Sequence, residues 1–263
     1  MTSPGADPAP QGTAAGPPLR LVFGSLLRAD FSVFLRHRRA LIISMLLPVF
    51  VLASTAGTRA TRRFGGAEFV IGLAISYGLL STALIGYALT VARDREKGVF
   101  QRLRVTPAPA WTIMVSRLAM QAVANLVIAI GVVIVGGLIH HVSPSAAQYA
   151  LVLLVSILAG AVFLSLGQAL VGLVRSADSV QAVARVLFAV LVLLGILGQS
   201  EALGSFWSSV ARWSPVGAVM TLFAGVLGLH AWSSTDTLSL LACLGYIVVF
   251  AGIGIRWFRW DAR

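Results

Sequence analysis

The charged residues best suited to chemistry or to binding a partner lie in one segment, 93–107. It reads Arg-Asp-Arg-Glu-Lys-Gly-Val-Phe-Gln-Arg-Leu-Arg-Val-Thr-Pro. Its charges alternate with apolar Val99, Phe100, Leu103 and Val105, a pattern typical of a short helix that docks into a groove on a cytoplasmic protein. A solvated loop whose long basic side chains snorkel at the membrane surface fits the pattern equally well. On spacing alone both interpretations stay open.

Recognisable catalytic and metal-binding motifs are missing from the sequence. There is no G-x-x-x-x-G-K-[ST] phosphate loop, no H-E-x-x-H zinc motif and no G-x-S-x-G nucleophile elbow. The single cysteine, Cys243, excludes an intramolecular disulfide and a thiolate cluster. His140 and His141 follow an apolar run, where solvated residues are expected. We therefore predict no enzyme activity, no bound metal and no cofactor for this chain.

Composition assigns the chain to the membrane. Only 11% of the 263 residues are charged and 58% are hydrophobic, whereas soluble domains carry about 25% charged residues. A helix needs roughly 20 residues to cross about 30 Å of hydrocarbon, so we predict an all-α membrane protein with six transmembrane helices. The predicted spans cover residues 40–57, 69–92, 118–139, 149–174, 183–197 and 238–255.

Shorter segments complete the predicted architecture. Residues 1–18, rich in Pro, Gly and Ala, predict a disordered tail. Residues 19–39 carry apolar residues at helical spacing with arginines between them, which predicts an amphipathic interfacial helix, or else a cytosolic helix packed on a partner. Residues 216–229 are too short for a span and predict a re-entrant or interfacial helix before the last span. Residues 40–263 form one transmembrane domain in this interpretation.

The distribution of basic residues predicts the orientation. With the N-terminus inside, sixteen of the 20 Lys and Arg lie on the cytoplasmic side, and only Arg59, Arg62, Arg63 and Arg212 lie outside. This asymmetry predicts that both termini are cytoplasmic, and it accounts for the net charge of +11 without nucleic acid. Three roles stay open for the first three outer arginines: solvated loop residues, ligands of lipid phosphates, or attraction of an anionic substrate.

Polar side chains inside the spans are uncharged near the middle, which argues against a proton-coupled carrier. Gln121 and Asn125 lie one helical turn apart in the third span, and Gln168 lies in the fourth. Such amides either bond across helices or line a translocation path.

The charged segment resembles the inner-loop signature of ABC-2-type permeases, the membrane subunits of many bacterial drug, polysaccharide and lipid exporters. That signature is Arg-Glu-x-Gly, then Arg-Leu and Thr-Pro, and the matching residues are Glu96, Gly98, Arg102, Leu103, Thr106 and Pro107. Val99 and Gln101 depart from the usual Thr and Glu. The run Trp213-Ser214-Pro215-x-Gly217 is similar to the outer motif of the same family.

The resemblance implies a coupling helix at about residues 96–104 that sits in a cleft of a separate cytoplasmic ABC ATPase, which uses ATP and Mg. The residues assigned to coupling are Arg95, Glu96, Gly98, Phe100, Arg102, Leu103, Arg104 and Pro107. It also implies a second permease copy, identical or not, surrounded by lipid in the bacterial cytoplasmic membrane. The implied activity is export of an amphiphilic or hydrophobic drug, lipid or glycolipid.

Alternatives to export stay open. A membrane-embedded scaffold or immunity-type protein would bind a partner without transport, and an importer of the same fold would move substrate inward. An integral membrane enzyme would need nucleophiles or metal ligands at converging positions, and the sequence offers none.

Overall fold

The structure, a computed structural model, describes residues 38–57, 66–99, 110–142, 144–197 and 204–257, together with Gly24, Arg28 and Thr61. These ranges form eight helices and contain no β-strand. The helices are α1 (Arg38–Ser54), α2 (Ala67–Glu96), α3 (Ala110–His140), α4 (Ala146–Leu173), α5 (Ala177–Leu197), α6 (Gly204–Trp213), α7 (Pro215–Leu227) and α8 (Ser234–Trp257).

The all-α membrane architecture predicted from the sequence is confirmed. Helices α2, α3, α4, α5 and α8 are long and apolar enough to cross a membrane. They coincide with five of the six predicted spans. The first predicted span corresponds to α1, which has 17 residues with Pro48 inside it. The predicted re-entrant element is α7, and the structure adds α6 before it, bent from α7 by 80°.

Three helix boundaries differ from the predicted ones because residues that flank the predicted spans belong to helices rather than to loops. Helix α2 runs on to Glu96 instead of stopping at Ala92, and α3 begins at Ala110 instead of Leu118. Helix α5 begins at Ala177 instead of Val183, since the Ser176 hydroxyl accepts a hydrogen bond from the Ser179 amide at 3.1 Å and starts the helix early.

Two predicted regions lie outside the described residues. The disordered tail, 1–18, is one, and most of the interfacial helix, 19–39, is the other, apart from Arg38, Arg39 and the helical residues Gly24 and Arg28. The outer arginines Arg59, Arg62 and Arg63 also lie outside them.

Helix α2 is the central helix of the bundle. All residues from Phe69 to Leu80 are buried, and α2 packs against α1, α3, α4 and α7. Its middle, Thr82–Ala88, is a π-helical segment, in which each hydrogen bond spans one residue more than in an α-helix. Such segments inside α-helices occur frequently at functional sites.

The broadest helix contact in the described part of the chain joins α4 and α8. At its centre, a Cβ built on Gly172 would lie 3.2 Å from the Gly254 carbonyl oxygen, and one built on Gly254 would lie 2.7 Å from Cγ of Gln168. The two backbones therefore approach as closely as only glycine allows, as is usual between membrane helices.

This contact predicts a stability difference between two glycines on α8. Gly254→Val pushes a branched side chain into the backbone of α4 and should lower stability by about 1–3 kcal/mol. Gly252→Val, two residues away where nothing lies within 4 Å of the added Cβ, should have little effect. Thermal unfolding of both variants in detergent measures the difference, and equal melting temperatures would refute the close packing of α4 on α8.

Candidate functional site

Residues at the C-terminal end of α2 connect it to three other helices. We call Asp94, Arg95, Glu96 and Gly98 the α2-end cluster; the first three close the helix and Gly98 lies in the turn that follows. Three of its members, Arg95, Glu96 and Gly98, were assigned to coupling from the sequence. The structure shows that Arg95 and Glu96 belong to α2 itself rather than to a separate short helix.

Arg95 binds the C-terminal end of α4. Its guanidinium donates hydrogen bonds to the carbonyl oxygens of Val171, Val174 and Arg175 at 2.8, 2.7 and 2.6 Å, and the side chain is buried. The last carbonyls of a helix have no partner within the helix, and the negative end of its dipole favours a cation. The forked guanidinium can serve several carbonyls at once, which a lysine ammonium does less well.

Glu96 binds the start of α5, the helix that follows α4 in the chain. Its carboxylate oxygen Oε1 accepts a hydrogen bond from the Ala177 amide at 2.6 Å, and Ala177 is the first residue of α5. A carboxylate is favoured at the positive end of a helix dipole. Neighbouring residues of opposite charge thus hold the α4 end and the α5 start, on either side of a three-residue connection.

Asp94 connects α2 to α3. Arg117 donates to its carboxylate at 2.5 Å, in an ion pair whose side chains are each about a quarter exposed or less. The pair joins the charged segment to the helix that follows it in sequence. Together, three consecutive residues of α2 therefore contact α3, α4 and α5.

Gly98 turns the chain away from α2. Its φ is +67°, a left-handed conformation that glycine adopts without steric cost, and its amide donates to the Arg95 carbonyl at 3.1 Å. Glycine just past a helix end is the usual way to stop a helix. The other assigned coupling residues, Phe100, Arg102, Leu103, Arg104 and Pro107, lie outside the described residues.

A second group of polar residues lies deeper in the bundle. The Thr82 hydroxyl and the Gln121 amide lie 2.8 and 3.4 Å from Oδ1 of Asn125, and the Tyr87 hydroxyl donates to Gln168 Oε1 at 2.7 Å. Thr82 and Tyr87 both belong to the π-helical segment of α2. The predicted face shared by Gln121 and Asn125 is thus observed, and both interact across helices or along α3.

These amides adjoin a cavity of about 660 Å³. Asn125 and Gln168 line it, together with Tyr87 and mostly apolar residues of α3, α4 and α8. Gln121 bonds to Asn125 but does not line the cavity. Two of the three residues predicted for a translocation path therefore line the same cavity.

The outer motif makes the sharp bend between α6 and α7. The Ser214 hydroxyl accepts a hydrogen bond from the Gly217 amide at 3.1 Å and caps α7, with Pro215 at its first position. A Cβ on Gly217 would overlap the Ala211 carbonyl oxygen. The Trp213 carbonyl accepts a hydrogen bond from the Tyr246 hydroxyl, which ties the bend to α8.

Sequence reasoning missed a buried acid at the start of α8. The Asp236 carboxylate accepts hydrogen bonds from the Ser233 amide and hydroxyl at 2.7 Å and contacts His230 at 3.0 Å. The pattern Ser233-x-x-Asp236 before an apolar run is a helix-capping signal and could have found it. Asp236 therefore caps α8. No group of metal ligands occurs among the residues the structure describes.

Comparison with known proteins covers both motifs. The model of the family described as ABC-2 type transporter matches residues 22–228, while no curated protein matches the chain. The matched region includes α1 to α7 and extends over well more than half of the chain. The chain is a multi-pass membrane protein that belongs to the ABC-2 type transporter family.

Proposed function

We propose that this chain is the permease subunit of an exporter that moves an amphiphilic or hydrophobic substrate across the bacterial cytoplasmic membrane. A separate ABC ATPase, which binds ATP and Mg, docks on the coupling segment at about residues 96–104, and a second permease completes the path. The observation that carries this proposal is the α2-end cluster, whose residues contact three helices at the point where the coupling segment begins.

The cluster supports transmission of movement from the docking segment into the bundle. The coupling segment begins at the end of α2 itself, since Arg95 and Glu96 close that helix and Gly98 follows in the turn. A force on the segment therefore acts on the end of α2. Because Arg95 holds the end of α4 and Glu96 holds the start of α5, that force reaches both helices through charge-assisted hydrogen bonds, which are roughly twice as strong as neutral ones.

Charge distribution supports the cytoplasmic location of the cluster. The orientation with both termini inside gives sixteen basic residues on the cytoplasmic side against four outside. In that orientation the α2 end faces the cytoplasm, where the ATPase lies.

The character of the cavity supports an apolar or amphiphilic substrate. Among the residues that the structure describes, its lining has two amides, a phenol and two serines but no charged side chain. A charged group buried there would have no counter-charge and would be strongly disfavoured. Asn125 and Gln168 would bond to the few polar atoms of such a substrate as it passes.

Purification of the tagged chain from its native membrane in mild detergent tests the proposal. We expect a P-loop ATPase to co-purify in equimolar amount, and to be lost when Glu96 and Arg102 are both replaced by alanine. Recovery of the permease alone, under conditions that preserve other membrane complexes, would favour the scaffold interpretation. The direction of ATP-dependent flux of a labelled candidate substrate in inverted vesicles would separate export from import.

A first prediction concerns Arg95. Arg95→Ala leaves the α4 carbonyls without donors in a buried site and should destabilise the chain by about 1–3 kcal/mol, with Arg95→Lys intermediate. Arg93→Ala is the matched control, since Arg93 lies two residues earlier on an exposed face of α2. Thermal unfolding of the three variants in detergent measures this, and an Arg95→Ala protein as stable as the control would contradict the assigned role.

A second prediction concerns Glu96. Glu96→Ala removes the acceptor for the Ala177 amide and should reduce permease-dependent ATP hydrolysis by about tenfold, the factor for one charge-assisted hydrogen bond. Glu96→Gln keeps an acceptor oxygen and should retain much of the activity.

The control for Glu96 is Glu68→Ala, at the opposite end of the same helix. ATPase assays on the reconstituted complex, with membrane insertion checked in each variant, supply the measurement. Equal hydrolysis by the Glu96→Ala and Glu68→Ala proteins would argue against coupling through this cluster.

A further inference from the structure

We propose that the cavity bounded by α3, α4 and α8 holds one acyl chain of a membrane lipid, drawn from the leaflet next to the α2 end. This deepens the proposed function by assigning a ligand class to the cavity, and it rests on the proposed orientation only in naming that leaflet as the cytoplasmic one.

The first support is the way the cavity opens. Helices α3 and α8 each pack against α4 but make no substantial contact with each other, so α4 forms the floor of a gap between them. Large apolar side chains line its two sides and are exposed, among them Leu118 on α3 and Ile255 on α8, which is 77% exposed. The gap therefore opens sideways, where the surrounding solvent is lipid hydrocarbon.

The second support is the length and depth of the cavity. Its lining on α3 extends from Val115 to Asn125, ten residues or about 15 Å of helix. That length is half of the roughly 30 Å hydrocarbon layer, that is, one leaflet. The lining on α4 ends at Gln168, close to the end that Arg95 binds, so the cavity lies in the half of the bundle nearest the α2 end.

The third support is the position of the two amides, Gln168 and Asn125, at opposite ends of a mostly apolar lining. Near the α2 end, Gln168 accepts from the Tyr87 hydroxyl, and no described residue accepts a hydrogen bond from its amide nitrogen. Gln168 lies five residues, or about 7.5 Å, before the end of α4, and we assign its amide to bind a lipid ester carbonyl. The volume of about 660 Å³ falls in the range of roughly 300–1,000 Å³ that ligand cavities occupy.

Asn125 is the deepest lining residue that α3 contributes to the cavity. One terminal atom of this amide has no partner among the described residues, and a Cβ on Gly160 would lie 2.9 Å from it. Glycine at position 160 leaves room for the Asn125 amide, whereas a larger residue there would clash with it. The lipid therefore lies with its ester at Gln168 and with its acyl chain directed toward the Asn125 end of the cavity.

The described lining residues carry no charge, and this selects the part of the lipid that enters. The nearby basic residue, Arg117, is paired with Asp94, so the headgroup meets a neutral ion pair at the membrane surface. The cavity therefore takes the uncharged chain and its ester, and places no demand on the headgroup.

Photolabelling of the full-length permease in lipid nanodiscs tests this assignment. The probe is a phosphatidylglycerol with a diazirine on one acyl chain, mixed into unlabelled phosphatidylglycerol and phosphatidylethanolamine, and adducts are mapped by mass spectrometry. We expect adducts concentrated on residues 115–125 of α3 and 156–168 of α4. No ATP or ATPase is present, so a failure here leaves the coupling experiments intact and can be told apart from a failure of the proposed function.

Variants that fill the cavity supply the decisive comparison. Ala122→Trp on the α3 side and Ala161→Trp on the α4 floor should each reduce these adducts by about tenfold or more, since a filled cavity excludes the chain. Val127→Trp is the control, because Val127 is exposed on α3 outside the cavity, and it should label like the wild type. Gln168→Leu should reduce labelling about fivefold, the factor that one neutral hydrogen bond contributes.

Two results would overturn the assignment. One is labelling spread evenly over the lipid-facing residues and equal in the wild type, both cavity variants and the control. The other is a cross-link between two copies of the chain through α3 or α8 with no adduct on the cavity walls, which would mean that a second permease covers the gap. Unchanged thermal unfolding of Ala161→Trp keeps loss of folding from imitating loss of the site.

Discussion

The carbonyl groups at the end of α4 must find donors within the protein, and Arg95 provides them. Lipid offers no hydrogen bond to an exposed backbone group, so each helix end that stays near the hydrocarbon needs a partner from its own chain. Arg95 donates to three carbonyls on both sides of the α4 end. Because the arginine is the penultimate residue of α2, this requirement fixes the end of α2 against the α4–α5 connection, and Glu96 and Asp94 follow into place beside α5 and α3.

Burial of apolar surface explains less in this bundle than it would in a soluble protein. An apolar side chain gains little by moving from lipid into the protein interior, so close packing and internal hydrogen bonds hold the helices together. Buried α2 shows the consequence, since its neighbours fit around it at glycines such as Gly72, where an added Cβ would lie 2.9 Å from Phe223. Exposed apolar residues of α5 and α8, such as Val186 and Val248, are the expected surface toward lipid.

The features of the fold that depend on membrane thickness were predictable from the sequence. The order of the helices and the short element near residues 216–229 follow from apolar run length, and the structure agrees with them. The end of α2 and the start of α3 lie four and eight residues beyond the predicted span limits, because each limit was placed at a charged residue, Arg93 or Arg117, that belongs to the helix. A helix can carry charges in its last turn when another helix end receives them, and that partner is a tertiary fact that no local pattern contains.

Side-chain pairs within the spans were predictable only along a regular helix. Gln121 and Asn125 share a face of α3 because four residues make about one turn of an α-helix, and they do interact. The pairing of Tyr87 with Gln168 could not be read in this way. The π-helical segment Thr82–Ala88 changes the residue spacing of α2, so the face that Tyr87 occupies cannot be extrapolated from the regular α-helical turns before it.

Helix α2 carries the parts of the molecule that transport would have to connect. Near its middle, Tyr87 contributes to the cavity wall, and Gly98 leads into the coupling segment. Tyr87 lies nine residues before Glu96, the last residue of α2, or about 14 Å of helix. The charged residues of α2 lie toward its ends, as with Glu68 and Arg95, while the polar groups near the cavity are hydroxyls and amides such as those of Thr82 and Asn125. A proton relay would need titrating groups in the membrane, whereas a mechanical input at the end of α2 needs only that the helix move as one body, and the cavity wall would then move with it.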